Sequence, residues 1–129
     1  MPRTESSTLF ELLPIGAYRS SADGKQMRGN LALVRLNGYA SEEEMLREVR
    51  DIAREWYVDP QQRGRFLELM ERDGRVVDFV SEIYRHKTRE RIWIREHAHV
   101  VRDSDGQVLY FEGTIEDITE SRNARLALA

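Results

Sequence analysis

From Val76 to Asp117 the sequence is nearly all strand. Val76–Arg85 is rich in Val, Phe, Ile and Tyr; Arg91–Arg102 follows, and an Asp105-Gly106 turn leads into Gln107–Asp117. Branched and aromatic side chains of this kind fit a pleated, half-buried surface, and links this short join successive strands antiparallel. A three-stranded meander cannot stand alone, because its apolar face has to be covered by another layer.

The cover is legible upstream. Thr8-Leu9-Phe10-Glu11 has the form of a capping box and Pro14 ends the turn it starts, so residues 8–13 are read as a short amphipathic helix. Gly16–Ser20 and Lys25–Gly29 flank Asp23-Gly24, whose glycine supplies the positive φ of a tight hairpin turn. Asn30 can cap a helix carrying Leu31, Leu33, Val34 and Leu36, which Asn37-Gly38 breaks. Ser41 to Glu44 is a second capping box, and behind it Met45, Val49, Ile52, Ala53 and Trp56 form a helical stripe. Asp59-Pro60 opens another helix with Asp as N-cap and Pro at the first helical position, and Gly74 can close it. Thr119–Ala129 starts a last helix. Five strands with the helices gathered on one face make an α+β layer.

A chain of 129 residues is one domain's worth. It has no Cys, which excludes disulfides, thiolate nucleophiles and Cys-based metal sites. Net charge is −3, the wrong sign for a general nucleic-acid binder, and no apolar run is long enough to span a membrane. The expectation is a cytoplasmic, non-membrane domain without nucleic-acid partners. His97 and His99 share one sheet face and could supply two metal ligands; lacking a third, they are read as surface histidines and no metal site is expected. Arg85-His86-Lys87-Thr88-Arg89-Glu90-Arg91 is the one basic cluster, read as a solvated hairpin tip rather than a phosphate site. No elbow, P-loop or dinucleotide motif occurs, so no catalytic residues are assigned and the domain is not expected to be an enzyme.

Along Arg91–Arg102, Ile92, Ile94, Glu96, Ala98 and Val100 share one face, and Trp93, Arg95, His97 and His99 the other. The first is the core face, which places a carboxyl group inside. A buried carboxylate without a partner is costly and shifts toward its neutral form. Two readings stand: a polar group set to orient a ligand in an apolar cavity, or an internal hydrogen bond or ion pair to a Tyr or Arg of the helical layer.

Four places together resemble a PAS domain of the bacterial sensory type, across roughly Leu9 to Arg122. They are Asp23-Gly24 followed by Asn30; Leu36-Asn37-Gly38-Tyr39; Trp93 followed by Val101-Arg102-Asp103-Ser104-Asp105-Gly106; and Gly113-Thr114-Ile115-Glu116-Asp117-Ile118-Thr119-Glu120. One departure is visible: Lys87-Thr88-Arg89-Glu90 stands where many relatives have Lys-Asp-Gly. The resemblance implies an antiparallel sheet of order 2-1-5-4-3 cupping a small cavity beneath the helices. It also implies a module that binds a ligand or partner and passes a shift to an effector, commonly a histidine kinase or diguanylate cyclase. Light-sensing flavin relatives need a Cys for their adduct, and haem relatives usually a His on the helix matching Pro60–Arg72; this chain has neither, although Met70 could ligate iron. No cofactor is expected.

The domain plan is an extension over 1–8, a sensor domain over 9–118, and over 119–129 the start of a helical linker to an effector. Expected ligand-lining residues are Leu33, Leu36, Ile52, Phe66, Met70, Val80, Tyr84, Ile94, Glu96, Phe111 and Ile115. Asp117 and Thr119 form the expected signal junction, with Thr119 as N-cap and Asp117 paired to an Arg or a backbone N–H. The expected partner is a second copy, meeting through Leu9, Leu12, Leu13, Trp93 and Tyr110. Two alternatives remain at this point: a ligand-free dimerisation or spacer module with a filled core, and an enzyme on the related NTF2-type cone. The latter would work through the inward ionisable residues, Glu96 and Glu82.

Overall fold

The computed structural model describes residues 5–128, with side chains from residue 8 onward; residues 1–4 of the expected extension and Ala129 of the last helix lie outside the described residues. The chain runs α1 (Glu5–Leu12), β1 (Gly16–Ser20), β2 (Gln26–Gly29), α2 (Leu31–Leu36), α3 (Glu42–Glu48), α4 (Ile52–Glu55), α5 (Gln62–Asp73), β3 (Arg75–Tyr84), β4 (Arg91–Arg102), β5 (Val108–Asp117) and α6 (Thr119–Leu128). The strands form one antiparallel sheet of order β2-β1-β5-β4-β3, the order that the resemblance implies. Helices α2 to α5 cover its inner face, where Leu33, Phe66, Met70, Ile83, Ile94, Phe111 and Ile115 make the core.

Asn30 joins three elements. Its buried Oδ1 caps α2 by accepting from Leu33 N at 3.0 Å and also accepts from Ala17 N of β1 at 2.9 Å. Its Nδ2 donates to Phe10 O and Ile15 O, at 2.9 and 3.0 Å, which ties down the end of α1. All four hydrogen-bonding positions of the amide are thus used.

Two expectations about the helical layer are corrected. The stripe from Met45 to Trp56 is not one helix: the chain extends at Val49 to Asp51 and restarts as α4. The freed donors have partners, Glu55 Oε1 accepting from Arg50 N and Asp51 N at 2.9 Å each, while Ile52 N donates to Gly24 O of the β1–β2 turn at 2.9 Å. Asp59 caps a preceding turn, its carboxylate accepting from Gln61 N at 2.9 Å, so α5 begins two residues beyond Pro60.

The largest correction is in β3. Val76 pairs with Ala98 but Phe79 pairs with Glu96, so one extra residue bulges out between them, and Asp78 takes a φ of 52° to make room. A single inserted residue exchanges the two faces of everything after it. Phe79, Ser81 and Ile83 therefore face the helices, whereas Val80, Glu82 and Tyr84, expected inside, are turned outward. Gly113 is required for a different reason. A Cβ there would lie 2.2 Å from His97 O and 2.7 Å from Ala98 Cα, so any side chain would strike the β4 backbone.

Replacing Asn30 by Ala strips the cap and leaves four backbone groups without their partner. The expected cost is about 2–4 kcal/mol in urea unfolding. A loss below about 1 kcal/mol, the value of a simple exposed cap, would show that the three-way link is not structural.

Candidate functional site

Between the helices and the inner sheet face lies a cavity lined by Tyr18 and Ser20 of β1, Gln26 of β2, Leu33 and Asn37 around α2, Val49, Ile52, Trp56 and Tyr57 around α4, Arg63 of α5, Glu96 of β4 and Ile115 of β5. The space open to the centre of a water molecule is about 20 Å³, room for about one water. Gln26 is the one lining residue that is not fully buried. It marks the mouth, where its amide donates to Arg28 O at 2.9 Å and Arg19 O at 3.2 Å.

The polar groups inside are what set this cavity apart. Glu96 is 2% exposed. Its Oε2 accepts from the Tyr18 hydroxyl, while Oε1, like Ser20 Oγ, has no hydrogen-bond partner. The partner is a sheet residue, not the helical-layer Tyr or Arg expected. Arg63, 6% exposed, lies across the aromatic faces of Phe66 and Phe111, at 5.0 and 6.0 Å from their centroids. Its guanidinium donates to Ser21 O at 3.4 Å and acts on Glu96 through space, not through a hydrogen bond. Burial pushes the Glu96 carboxyl from 4.5 up to about 7, with Tyr18 and Arg63 pulling the other way. Burial first, then the Glu96 charge, raises the Tyr18 phenol well above its ordinary value, and Tyr57 is raised for the same two reasons.

Of the eleven residues expected to line a ligand site, Leu33, Ile52, Glu96 and Ile115 meet at this cavity. Phe66, Met70, Ile94 and Phe111 are buried but packed into the core beside it, and Leu36 packs at its edge. Val80 and Tyr84 are on the far side of the sheet because of the β3 bulge. Sequence reasoning missed Arg63, although it stands three residues before Phe66 and seven before Met70 on the stripe that α5 buries. It also missed Tyr18 and Ser20, which alternate on β1 with Gly16 and so share its covered face.

A second polar group braces the floor. Buried Asn37 accepts through Oδ1 from Trp56 Nε1 at 3.3 Å and His86 N at 3.1 Å. The His86 ring contacts the Tyr39 hydroxyl through Nδ1 and Glu55 through Nε2 at 3.2 Å. The basic tip is exposed from Lys87 to Arg91, as expected, but it is also anchored. Arg85 donates to Leu36 O at 2.7 Å and Arg89 to Glu55 O at 2.8 Å, so both are committed to the helical layer. On the outer sheet face His97 and His99 face Asp78 and Glu112, at 3.4 and 3.0 Å, and no group of three metal-binding side chains occurs among the described residues.

The junction with α6 is closely bonded to β4. Ile118 N donates to Trp93 O at 2.8 Å and Trp93 N donates to Thr119 Oγ1 at 2.8 Å. Asp117 accepts from the backbone N–H of Thr119 at 2.9 Å. Thr119 thus spends its hydroxyl on the sheet and does not cap the helix, as had been expected. Arg122 lies 3.9 Å above the Trp93 ring and Arg19 4.7 Å from the Tyr110 centroid, while Leu9 and Leu12 are exposed and Leu13 is half-buried. No described helix is long and apolar enough to cross a membrane.

A family model described as a PAS domain matches residues 20–120, most of the chain. The chain belongs to the PAS domain family. No curated protein sequence matches it significantly. Among solved structures, the PAS domain is similar to one from Colwellia psychrerythraea, with 17% identity, a TM-score of 0.76, and 90% of this chain and 96% of that one covered. It is also similar to a domain of a sensory box sensor histidine kinase/response regulator from Geobacter sulfurreducens, with 19% identity, a TM-score of 0.67, and coverage of 87% and 90%. At these identities the likeness is one of fold.

The Glu96 carboxyl gives this PAS domain a pH signature. Because its folded value is raised, the folded state holds the proton more tightly than the unfolded chain does. The contribution of Glu96 to stability is then full below about pH 4.5 and falls as pH rises toward 7. The shift from 4.5 to about 7 corresponds to roughly 3 kcal/mol. Urea unfolding across this range should show the wild type losing stability relative to Glu96→Gln as pH rises toward 7; parallel curves would mean that Glu96 does not carry the shift.

Proposed function

We propose that this PAS domain is a sensor or regulatory module of a signalling protein: a small ligand in the Glu96 cavity shifts the sheet, and β4 passes the shift to α6 and a C-terminal effector. One observation carries the reading. The polar lining of the cavity and the anchor of the exit helix are on one strand, Glu96 and Trp93 lying three residues apart, about 10 Å along β4. Glu96 pairs with Ile115 and Ile94 with Asp117, so β4 and β5 reach the junction in register. A ligand can move this equilibrium only as far as it binds one arrangement better than the other. Neighbouring solved structures are described as domains of sensor histidine kinases, which supports an effector of that kind; a diguanylate cyclase remains the other expected output. Ile118, Ala124 and Leu128, the last 90% exposed, follow the spacing of a seam and suit a helix that pairs with its copy in a homodimer.

The competing reading, a ligand-free spacer, draws on the small size of the cavity. The two separate in an experiment that fills it. Ser20→Leu puts an apolar side chain where the unpartnered hydroxyl stands, and Val49→Phe does the same from the helical wall if the first variant folds poorly. A relayed signal predicts a several-fold change in amide exchange at Ile118 to Arg122, read by NMR, at an overpacking cost of about 1–3 kcal/mol. Exchange at α6 that stays as in the wild type, with the cavity resonances shifted, would reject transmission from within and favour the spacer.

A further inference from the structure

Burying a carboxyl and a guanidinium in one small cavity ordinarily ends with the two in contact, since each is costly to leave unpaired. Here they stay apart. Glu96 takes its hydrogen bond from Tyr18 and leaves Oε1 unsatisfied. Arg63 has a long contact to a backbone carbonyl, the rings of Phe66 and Phe111 and the neighbouring Tyr57 hydroxyl, all uncharged, and no described carboxylate is in ion-pair contact with it. Ser20 adds a second unsatisfied buried oxygen on the same wall. Apart from the amides of Gln26 and Asn37, which are bonded to other groups, the remainder of the lining is apolar or aromatic, as at Leu33, Val49, Ile52, Trp56 and Ile115.

The geometry points to a small zwitterion as the ligand of this cavity, a free amino acid with a short side chain or none, its carboxylate on Arg63 and its ammonium on Glu96 and Ser20. This rests on the reading of the cavity as a sensor site. A ligand carrying only an acid would leave Glu96 unpaired, and one carrying only an amine would leave Arg63 so. An uncharged apolar molecule would bury against both. An amino acid supplies each buried charge with its opposite, the arrangement in which buried charges are tolerated. The space holds about one water, so the proposal requires the half-buried Gln26 at the mouth to swing aside for glycine or alanine, and large side chains are excluded.

Binding has a second consequence. The charged or titratable groups facing Glu96 are Tyr18 from β1, Arg63 from α5 and Tyr57 beyond α4. With none of them in ion-pair contact, burial keeps the carboxyl partly protonated near neutrality. An ammonium placed on Oε1 favours the ionised form, so the proton leaves on binding.

Isothermal titration calorimetry of the whole chain with glycine, L-alanine, lactate, propionate and ethylamine tests the assignment. Glycine or L-alanine should bind, at about pH 6 releasing up to one proton, detected as a dependence of the heat on buffer ionisation enthalpy. Propionate, lactate and ethylamine should bind at least about tenfold more weakly, as should the amino acid to Glu96→Gln and Arg63→Met. Near-UV circular dichroism checks the fold of each variant, and Arg63→Lys carries the test if the methionine variant unfolds. Absence of amino-acid binding at millimolar concentration, or equal affinity for wild type and Glu96→Gln, overturns the proposal. If α6 exchange still responds to Ser20→Leu, that failure concerns the ligand class alone; if α6 is unresponsive, the sensor reading beneath it has failed.

Discussion

Glu96 stands in the middle of a strand, on the face that the helices cover, where water cannot solvate its carboxyl. Two other polar groups of the interior are set around it. The Tyr18 hydroxyl reaches it from β1, across the intervening β5, where Gly113, paired with Tyr18, has no side chain to stand between them. Arg63 is brought in on α5 to within electrostatic reach without closing on it. The result is a cavity whose walls are apolar but whose floor has an unsatisfied acceptor, an unsatisfied hydroxyl and a buried cation. A core packed only for stability would have no use for such groups, since apolar replacements of similar volume are commonly neutral or stabilising.

The same strand links this interior to the outside. β4 carries Glu96 inward and Trp93 outward, and Trp93 is held at both its N–H and its C=O by the first residues after β5. The exit helix therefore begins as an extension of the sheet's hydrogen bonding. Beyond that first turn α6 buries no side chain in the domain. It is fixed at its root and uncovered along its length.

Much of this was legible in the sequence. The strand runs, the Asp-Gly turns, the capping Asn30 and the glycine-to-threonine ending place every strand within a residue or two of its position. Alternation along β4 alone marks Glu96 as inward, because a strand's two faces follow from parity. The α5 stripe could have disclosed Arg63 by the same kind of reasoning, had a charged residue on a buried helical face been followed as closely as one on a strand. Val80, Glu82 and Tyr84 were misplaced because parity holds only while the ladder is regular. One extra residue at Asp78 reverses it, and Asp is among the few residues that adopt a positive φ readily.

The sequence by itself determined the class of fold and the identity of the buried carboxyl, since both rest on periodicity and turn chemistry within a few residues. Tertiary structure decided what that carboxyl meets. The break between α3 and α4 depends on donors captured by Glu55 and on a hydrogen bond to Gly24, and without it Val49, Ile52 and Trp56 would not converge on the cavity. The Tyr18–Glu96 contact and the separation of Arg63 from Glu96 join residues far apart in the chain. Such pairings depend on how layers settle against one another, a balance of packing and desolvation summed over the whole core that no local window contains.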